Sequence, residues 1–418
     1  MVYVIDITGK ALMPTERHGK VRRLLKDNLA MVVCRMPFTI QLKYETTELT
    51  QPVTLGVDAG SKHIGISATT SSKELYAAEV ELRTDIVDKL AVRREQRRTR
   101  RNHLRYRKPR FDNRVRSKNK GWLAPSVEHK IQTHLTVVDR IHRFLPITNI
   151  VVETASFDVQ KIKSPNVRGC DYQQGELLGF WNVREYVLFR DNHTCHHCKG
   201  KSKDHILNVH HLESRKTGGD APSNLITLCE TCHKQYHKGE IQLKQRRGKS
   251  FRDATFMGVM RWTFYERLKA FYPNVGMTFG YLTKHKRISN GLPKTHCVDA
   301  RCISGNPQAR PIDYYFYQKK VRCQNRQIHK ANFLKGGRKR QNQAPYLVKG
   351  YRLFDLVEYE HDLYYIFGRR ESGFFDIRKL DGTKVNKGSI NCKNIRLVDT
   401  RHTLLTEKRL QGAIQPTS

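Results

Sequence analysis

Hydrophobic and polar positions alternate along this chain with two different periods, which together predict an α/β protein of several domains. Residues 53–82 hold three short apolar runs, VTLGVD, HIGISATT and LYAAEVEL, separated by glycine, serine and lysine turns. Runs of this length that are apolar on both faces predict consecutive buried strands. Residues 126–145 instead repeat apolar side chains every three or four positions, which predicts a helix capped by Ser126 and ended by Pro146.

The other segments predict further strands and short helices. The N-terminal residues predict a strand over VYVID and a short helix near residues 20–26. The run ITNIVVE predicts a strand ending at Glu153, and the segment HCVDA predicts a helix that carries His296 and Asp299 one turn apart. From about residue 346, short alternating strands with glycine turns indicate a small β-barrel.

One segment has the composition of a helix but no apolar face. Residues 89–110 contain eleven lysines or arginines and a single acid, Glu95. Since a helix without an apolar stripe is not held by ordinary packing, the segment is either a disordered basic arm or a helix ordered by a phosphate backbone. The arginines that would bind such a backbone are Arg93, Arg94, Arg97, Arg98, Arg100, Arg101, Arg105 and Arg107.

The net charge of the whole chain indicates which class of partner the protein binds. The 418 residues include 77 lysines and arginines against 39 acids, a formal net charge of +38. A protein this basic repels itself unless a polyanion neutralises it, which makes nucleic acid the leading partner class. The N-terminus has no basic, apolar signal-peptide pattern and no segment is long enough to span a bilayer, so we expect no membrane association. Ten cysteines then indicate reduced thiols or metal sites in a reducing cytoplasm.

Acids at the ends of the predicted strands are the first candidate site. Asp58 ends the first strand of the meander, Glu153 ends a later strand, and Asp299 lies on the helix that begins near His296. Taken singly, each acid fits an ordinary turn or surface position. Together they predict carboxylates at one end of a sheet, which two Mg²⁺ ions would keep ionised and use for phosphodiester hydrolysis.

A cysteine- and histidine-rich insert is the second candidate site. Two C-x-x-C pairs, Cys195 with Cys198 and Cys229 with Cys232, predict a zinc site with four thiolate ligands. Between the pairs, His210 and His211 are adjacent and would point to opposite faces of a strand. His233 and His237, four residues apart, would share a helix face and suit a metal. A purely structural zinc knuckle is the alternative.

These motifs resemble known nuclease motifs. VDAGSKHIGIS, IVVETASF and HCVDA are similar to the three split motifs of RuvC nucleases, and the insert resembles HNH endonucleases of the ββα-metal type. With the N-terminal GKALMPT, where Ala11 replaces the usual first proline, the order of the segments resembles the IscB family. IscB proteins are transposon-encoded relatives of the type II CRISPR effectors.

The resemblance implies an RNase H-like RuvC fold and specific residue roles. Asp58, Glu153, His296 and Asp299 would form the RuvC site. His211 would be the general base of the HNH site and Asn224 its central asparagine. His210 and His233, with His237 as a further candidate, would bind the catalytic Mg²⁺. A guide RNA would pair with one DNA strand, the HNH site would cut that strand, and the RuvC site would cut the displaced strand.

The expected domains follow the same order along the chain. They are an N-terminal module (1–52), RuvC part I (53–86), an arginine-rich bridge helix (87–118), RuvC part II (119–165), the zinc-containing HNH domain (183–245), RuvC part III (251–310), a basic RNA-binding linker (311–345) and a β-rich domain (346–418) that reads a motif flanking the DNA target. An unguided DNA nuclease and a non-cleaving nucleic-acid binder are the remaining alternatives.

Overall fold

The computed structural model divides the chain into two compact units. It describes residues 1–102, 123–154, 183–213, 222–243, 252–323, 330–332, 337–339 and 345–411. The larger unit comprises residues 1–155 and 259–418, and the smaller unit comprises residues 156–258. No helix in the described ranges is both long enough and apolar enough to cross a membrane.

Helices and strands of both units are numbered along the chain. The helices are α1 (His18–Lys26), α2 (Ile86–Asn102), α3 (Pro125–His142), α4 (Val183–Arg190), α5 (Glu230–His237), α6 (Arg252–Phe271), α7 (Gly280–Ser289) and α8 (His296–Ile303). The strands are β1 (Tyr3–Ile5), β2 (Ala30–Cys34), β3 (Thr39–Leu42), β4 (Thr54–Ala59), β5 (His63–Thr69), β6 (Glu74–Glu81), β7 (Asn149–Thr154), β8 (Leu207–His211), β9 (Leu225–Cys229), β10 (Val275–Phe279), β11 (Tyr314–Lys320), β12 (Lys330–Asn332), β13 (Gly337–Lys339), β14 (Leu356–Tyr359), β15 (Asp362–Arg369), β16 (Phe374–Arg378), β17 (Ile390–Asn391), β18 (Arg396–Asp399) and β19 (Leu404–Leu410).

A seven-stranded mixed sheet forms the centre of the larger unit, in the order β10-β7-β4-β5-β6-β11-β19. The three strands predicted from residues 53–82 are present as the antiparallel meander β4-β5-β6. Strand β7 lies parallel to β4, and β10 lies parallel to β7. All residues of β4 from Leu55 to Ala59 are buried, as expected for a strand covered on both faces.

Two glycines let helix α8 pack directly on this sheet. A Cβ atom on Gly56 would overlap the carbonyl oxygen of Ala300, and one on Gly65 would overlap the carbonyl oxygen of His296. Strands β4 and β5 therefore offer a flat surface on which the backbone of α8 lies. This close contact determines the distance between the N-terminus of α8 and the sheet.

Helix α3 differs from its predicted bounds at both ends. It begins at Pro125, and Ala124, not Ser126, occupies the N-cap position without a side-chain hydrogen bond. Proline is favoured at the first helical position because it has no backbone N–H to leave unpaired. The helix ends at His142, three residues before the predicted end. Its buried face includes Ile131, Val138 and Ile141 of the predicted stripe.

The described part of the larger unit also contains three smaller sheets, one of which is the antiparallel pair β12-β13. The N-terminal residues form a three-stranded sheet, β1-β3-β2, with the predicted helix α1 beside it. Near the C-terminus, β14–β18 form an antiparallel sheet in the order β17-β16-β15-β14-β18 around the buried Val357, Ile366 and Phe375. The predicted strands of this region are present, and closure into a barrel stays a prediction. Strand β19 was not predicted, and it joins the seven-stranded sheet beside β11.

The described part of the smaller unit contains a β-hairpin followed by a helix. Strands β8 and β9 are antiparallel, with His210 opposite Ile226 and His211 opposite Leu225. Helix α5 begins at the residue after β9. Cys195, Cys229 and Cys232 are buried with Ile226 and Leu228 in the core of this hairpin-helix element.

Candidate active sites

Strand pairing brings the first two predicted acids side by side. Val57 of β4 pairs with Val152 of β7, so the residues that follow, Asp58 and Glu153, lie one residue before the ends of adjacent strands, at the same edge of the sheet. Both are buried, with 8% and 9% of their surface exposed. Their approach follows from parallel pairing, because the C-terminal ends of parallel strands meet at one edge of the sheet.

Helix α8 brings the other two residues to the same edge. Its N-terminus is capped by Thr295, whose side chain accepts a hydrogen bond from the backbone N–H of Val298. His296, its first residue, places Nδ1 2.9 Å from Oδ2 of Asp58. Asp299 follows in the first turn and forms an ion pair of 2.9 Å with Arg287 of α7. We call Asp58, Glu153, His296 and Asp299 the acid cluster.

The pKa values within the acid cluster reflect crowded negative charge. Burial, and then the charge on Asp58, raises the pKa of Glu153. The same two causes raise the pKa of Asp299. Burial alone would lower the pKa of His296, but its hydrogen bond and charge interaction with Asp58 raise that pKa overall. Buried carboxylates that lie close to a further negative charge fit a divalent cation with oxygen ligands, such as Mg²⁺.

Arg261 is a member of this site that the sequence analysis missed. It lies on α6 with only 9% of its surface exposed. Its Nε donates a 2.7 Å hydrogen bond to the carbonyl oxygen of Ala59. Its terminal nitrogens lie 3.1 Å from Oε1 of Glu153 and 3.8 Å from Oδ1 of Asp58. The guanidinium thus supplies positive charge to both acids and is fixed in place by a backbone carbonyl.

The sequence contained one signal for Arg261. Met260, Phe264 and Leu268 form an apolar stripe on α6, and all three are fully buried. An arginine directly beside such a stripe is unusual, because an arginine is rarely buried without an anionic partner. That pattern indicates a buried charge pair, although not which acid completes it.

Three histidines of the smaller unit also converge, and we call them the histidine cluster. One ring nitrogen from each of His210, His233 and His237 lies within 4.8 Å of the others. The Nε2 atoms of His233 and His237 are 3.3 Å apart. Burial, then the charges of the neighbouring histidines, lowers the pKa of His210 to about 4. In the described part of the chain, Nε2 of His210 is buried without a hydrogen-bond partner. A neutral imidazole with an unpaired nitrogen beside two others fits a divalent cation.

His211 and Asn224 flank the histidine cluster. His211 lies outside the set of three converging nitrogens but lines the same cavity of about 400 Å³, together with Tyr236. Asn224 is fully buried. Its Oδ1 accepts a 2.9 Å hydrogen bond from the backbone N–H of Glu213, and its Nδ2 donates one of 3.0 Å to the carbonyl of Glu213. Asn224 therefore holds the backbone two residues beyond His211, so it can orient the end of β8.

The four predicted cysteines meet as well, and we call them the cysteine cluster. One sulfur from each of Cys195, Cys198, Cys229 and Cys232 lies within 4.8 Å of the others. All four are free thiols, and the Cys198 and Cys229 sulfurs are 3.8 Å apart. Burial alone would raise the pKa of Cys198, but hydrogen bonds led by Ser202 lower it to about 6. Four converging thiols of this kind are compatible with zinc.

The basic segment forms helix α2 as far as Asn102. Four of the predicted arginines expose their side chains to solvent, and Arg101 is half-buried. The four are Arg93, Arg94, Arg97 and Arg98. Arg100 is in the same helix, and Arg105 and Arg107 lie outside the described residues. The helix therefore offers exposed guanidinium groups along two turns.

Comparison with known families bears directly on these sites. Residues 195–239 match the model of the HNH endonuclease family, and residues 2–175 match the model of the RRXRR protein family. The first match covers the cysteine cluster, the histidine cluster, His211 and Asn224. The smaller unit therefore contains an HNH endonuclease domain, a class that uses a divalent metal ion. The two matches, in this order along the chain, agree with the resemblance to IscB-like nucleases related to Cas9.

Individual relatives cover only parts of the chain. Anaredoxin from Nostoc sp. is 49% identical over 37 residues, which is 9% of this chain and 49% of that protein. Streptococcus thermophilus Cas9 in complex with the GGAA PAM is 15% identical and aligns with 53% of this chain and 31% of its own, with a TM-score of 0.33. The type II-C Cas9 from Actinomyces naeslundii is 11% identical over 61% of this chain and 60% of its own, with a TM-score of 0.25. The chain thus spans less than two thirds of each of these proteins, and superpositions of this quality do not establish a shared fold.

Proposed function

We propose that this protein is an RNA-guided DNA endonuclease with two separate hydrolytic sites. The acid cluster would be the RuvC site, in an RNase H-like domain assembled from residues 53–86, 119–165 and 251–310. The histidine cluster and His211 would be the HNH site. The observation that carries the proposal is the contact of His296 with Asp58, 238 residues apart, beside Glu153 from a third segment. A binder without cleavage activity has no need for these residues to meet.

In the RuvC site the chain's own residues position charge and a proton acceptor. Asp58, Glu153 and Asp299 would hold Mg²⁺, which supplies charge neutralisation of the scissile phosphate and activation of water. When Nδ1 of His296 donates to Asp58, its Nε2 is left to accept a proton. Asp58 would then orient this imidazole, and Arg287 would hold Asp299 in place.

In the HNH site the roles divide between two faces of strand β8. His210, His233 and His237 would hold the catalytic Mg²⁺. His211 would take the proton from the attacking water, and Asn224 would fix the backbone that carries it. The cysteine cluster would bind structural Zn²⁺, which joins the turn before β8 to the start of α5 and stabilises the domain directly. Free thiols in this role fit a reducing cytoplasm.

Guidance is the part of the proposal that rests on charge and on the family resemblance. The exposed arginines of α2 and the basic residues 311–345 would bind the phosphate backbone of the guide RNA. Pairing between guide and target would read the DNA sequence, while residues 346–418 would read the flanking motif. The HNH site would cut the guide-paired strand, and the RuvC site would cut the displaced strand.

Strand-resolved cleavage tests the proposal. Asp58→Ala should stop cutting of the displaced strand alone, and His211→Ala should stop cutting of the paired strand alone. Duplex DNA labelled differently on each strand, incubated with Mg²⁺ and the purified ribonucleoprotein, gives both readouts. His197→Ala, which changes a histidine outside the histidine cluster, is the matched control and should retain both cuts.

Two results would overturn the proposal. Loss of both cuts in either variant, with RNA loading intact, would contradict two independent sites. Equal cleavage of matched DNA after RNase treatment and a high-salt wash would contradict RNA guidance. Sequencing the RNA that co-purifies with the wild-type protein gives an independent test of the same point.

A further inference from the structure

A fourth set of potential ligands lies beside the acid cluster, and two of its members have no role in the proposed nuclease chemistry. One ligand atom from each of His63, Glu79 and His296 lies within 4.8 Å of the others. His63 is the first residue of β5, Glu79 lies in β6, and His296 begins α8. Only His296 is shared with the acid cluster.

Strand register explains why these side chains converge. Asp58 of β4 pairs with Gly65 of β5, and Gly65 pairs with Glu79 of β6. Directly paired residues point to the same face of a sheet, and so does His63, two residues before Gly65. Asp58, Gly65 and Glu79 thus form a row across the three strands. Because Gly65 has no side chain, the backbone of His296 packs directly against it in the middle of this row. The imidazole of His296 therefore lies between Asp58 on one side and the His63–Glu79 pair on the other.

Contacts within the set are close but poorly suited to direct hydrogen bonding. Nδ1 of His63 lies 2.9 Å from Oε1 of Glu79. That nitrogen is nevertheless buried with no partner in hydrogen-bond geometry anywhere in the described ranges. The rings of His63 and His296 are stacked, with centroids 5.4 Å apart and planes 10° apart. What distinguishes this pair from an ordinary ion pair is the third ligand atom, from His296, which lies within 4.8 Å of both and would allow one cation to bind all three side chains.

We propose that His63, Glu79 and His296 bind a transition-metal ion of the zinc class. Two imidazoles and one carboxylate are a donor set that suits Zn²⁺ better than Mg²⁺. Nδ1 of His296 is engaged by Asp58, so Nε2 would bind the metal. A metal-binding histidine whose other nitrogen donates to a carboxylate is the usual supporting arrangement. The side chains of His63, Glu79 and His296 are 33%, 14% and 26% exposed, which leaves the site open to ions from solvent.

Surrounding charges favour a cation at this position. On the side of the acid cluster, the negative charges of Asp58 and Asp299 interact with His296. On the other side, Glu81 follows Glu79 by two residues and accepts a 2.6 Å hydrogen bond from the hydroxyl of Tyr317. Lys319, 2.8 Å from Glu81, is the nearest compensating cation on that strand pair. The proposed ion would thus neutralise part of an excess of carboxylates.

Anomalous diffraction from crystals of the full chain soaked in zinc chloride, measured at the zinc edge, tests this site. The wild-type protein should show a peak between His63, Glu79 and His296, in addition to a peak at the cysteine cluster. His63→Ala and Glu79→Gln should each lose the first peak and keep the second, which shows that the variant is folded and loaded. Glu81→Gln, on the same strand but outside the set, should keep both peaks.

The outcomes separate this inference from the proposed function. Absence of the first peak in the wild-type protein while the cysteine cluster is occupied would overturn the inference, and so would a peak that persists in His63→Ala. Neither result touches the strand-specific cleavage test. If both proposals hold, added zinc should inhibit cutting of the displaced strand in the wild-type protein and should do so at least tenfold less effectively in His63→Ala. Equal inhibition of both proteins would count against the site.

Discussion

At the scale of single residues, Arg261 supplies positive charge to the acid cluster. Its guanidinium is fixed by the carbonyl of Ala59 and lies near Glu153 and Asp58. Removing one partner from a buried charge network leaves uncompensated charge, which costs about 3–5 kcal/mol. A bound divalent cation would supply the same compensation. Arg261 and the metal should therefore substitute for each other in stability.

This equivalence predicts the behaviour of Arg261→Met, which keeps the apolar stem and removes the charge. Without Mg²⁺ the variant should lose about 3 kcal/mol in the free energy of unfolding, measured with denaturant, and Mg²⁺ should restore part of the loss. Arg267→Met on the same helix is the control. Arg267 pairs with Glu128 at the surface, so its loss should cost about 0–1 kcal/mol with no Mg²⁺ dependence. Equal losses in both variants would remove the special role of Arg261.

What the sequence could predict at this scale depended on where a residue lies in its element. Asp58 and Glu153 end apolar runs, so the edge where they meet followed from strand pairing alone. His233 and His237 were predictable from their spacing in a helix. Arg261 was not, because its partners are 108 and 203 residues away along the chain and only the packing of α6 brings them together. The approach of His63 to Glu79 was also missed, because it depends on the register between β5 and β6, which the sequence does not specify.

At the scale of elements, the packing of α8 on the sheet controls the position of His296. Gly65→Ala would place a methyl group against the carbonyl oxygen of His296, which cannot move without moving α8. We expect a loss of about 1–3 kcal/mol in stability, typical of overpacking, together with loss of displaced-strand cleavage. Thermal unfolding and the strand-resolved assay measure the two effects.

Gly276→Ala is the matched control for this element. It lies in β10 of the same sheet, where a Cβ would be 3.8 Å from a side-chain methyl of Val151, an ordinary contact. This variant should keep its stability within about 0.5 kcal/mol and retain both cuts. A Gly65→Ala protein with normal cleavage of both strands would show that the close approach of α8 is not what positions His296.

Helices and strands were predicted correctly where apolar residues recur with a regular period, whereas the ends of these elements were misplaced. The meander β4-β5-β6 and helix α3 both came from clear periods, whereas the start of α3 was misplaced because the preference of Pro125 for the first helical position outweighed the capping tendency of Ser126. Strand β19 was missed because LLTEKRL has few apolar residues after its first two. Its pairing with β11 supplies the stability that its own composition lacks.

At the scale of the whole molecule, the net charge of +38 must be compared with the local charge of α2. General attraction between a basic protein and RNA depends on total charge, whereas a guide-binding helix depends on where the charges lie. The two explanations differ for variants that remove the same number of charges from different places. Arg93, Arg94, Arg97 and Arg98 are exposed on α2, and Lys199, Lys201, Lys203 and Lys238 are exposed in the smaller unit.

Replacing each set of four with alanine lowers the net charge by the same amount, so RNA binding can separate the explanations. If the α2 arginines contact single-stranded phosphates, their loss should reduce the slope of log affinity against log salt by roughly 3, since each contact contributes about 0.7. Removing the four lysines should change the slope by less than about 1. Filter-binding titrations of the co-purified RNA at several salt concentrations measure both slopes. Equal changes would mean that total charge, not the basic helix, holds the RNA, and the guide would then have to bind elsewhere on the protein.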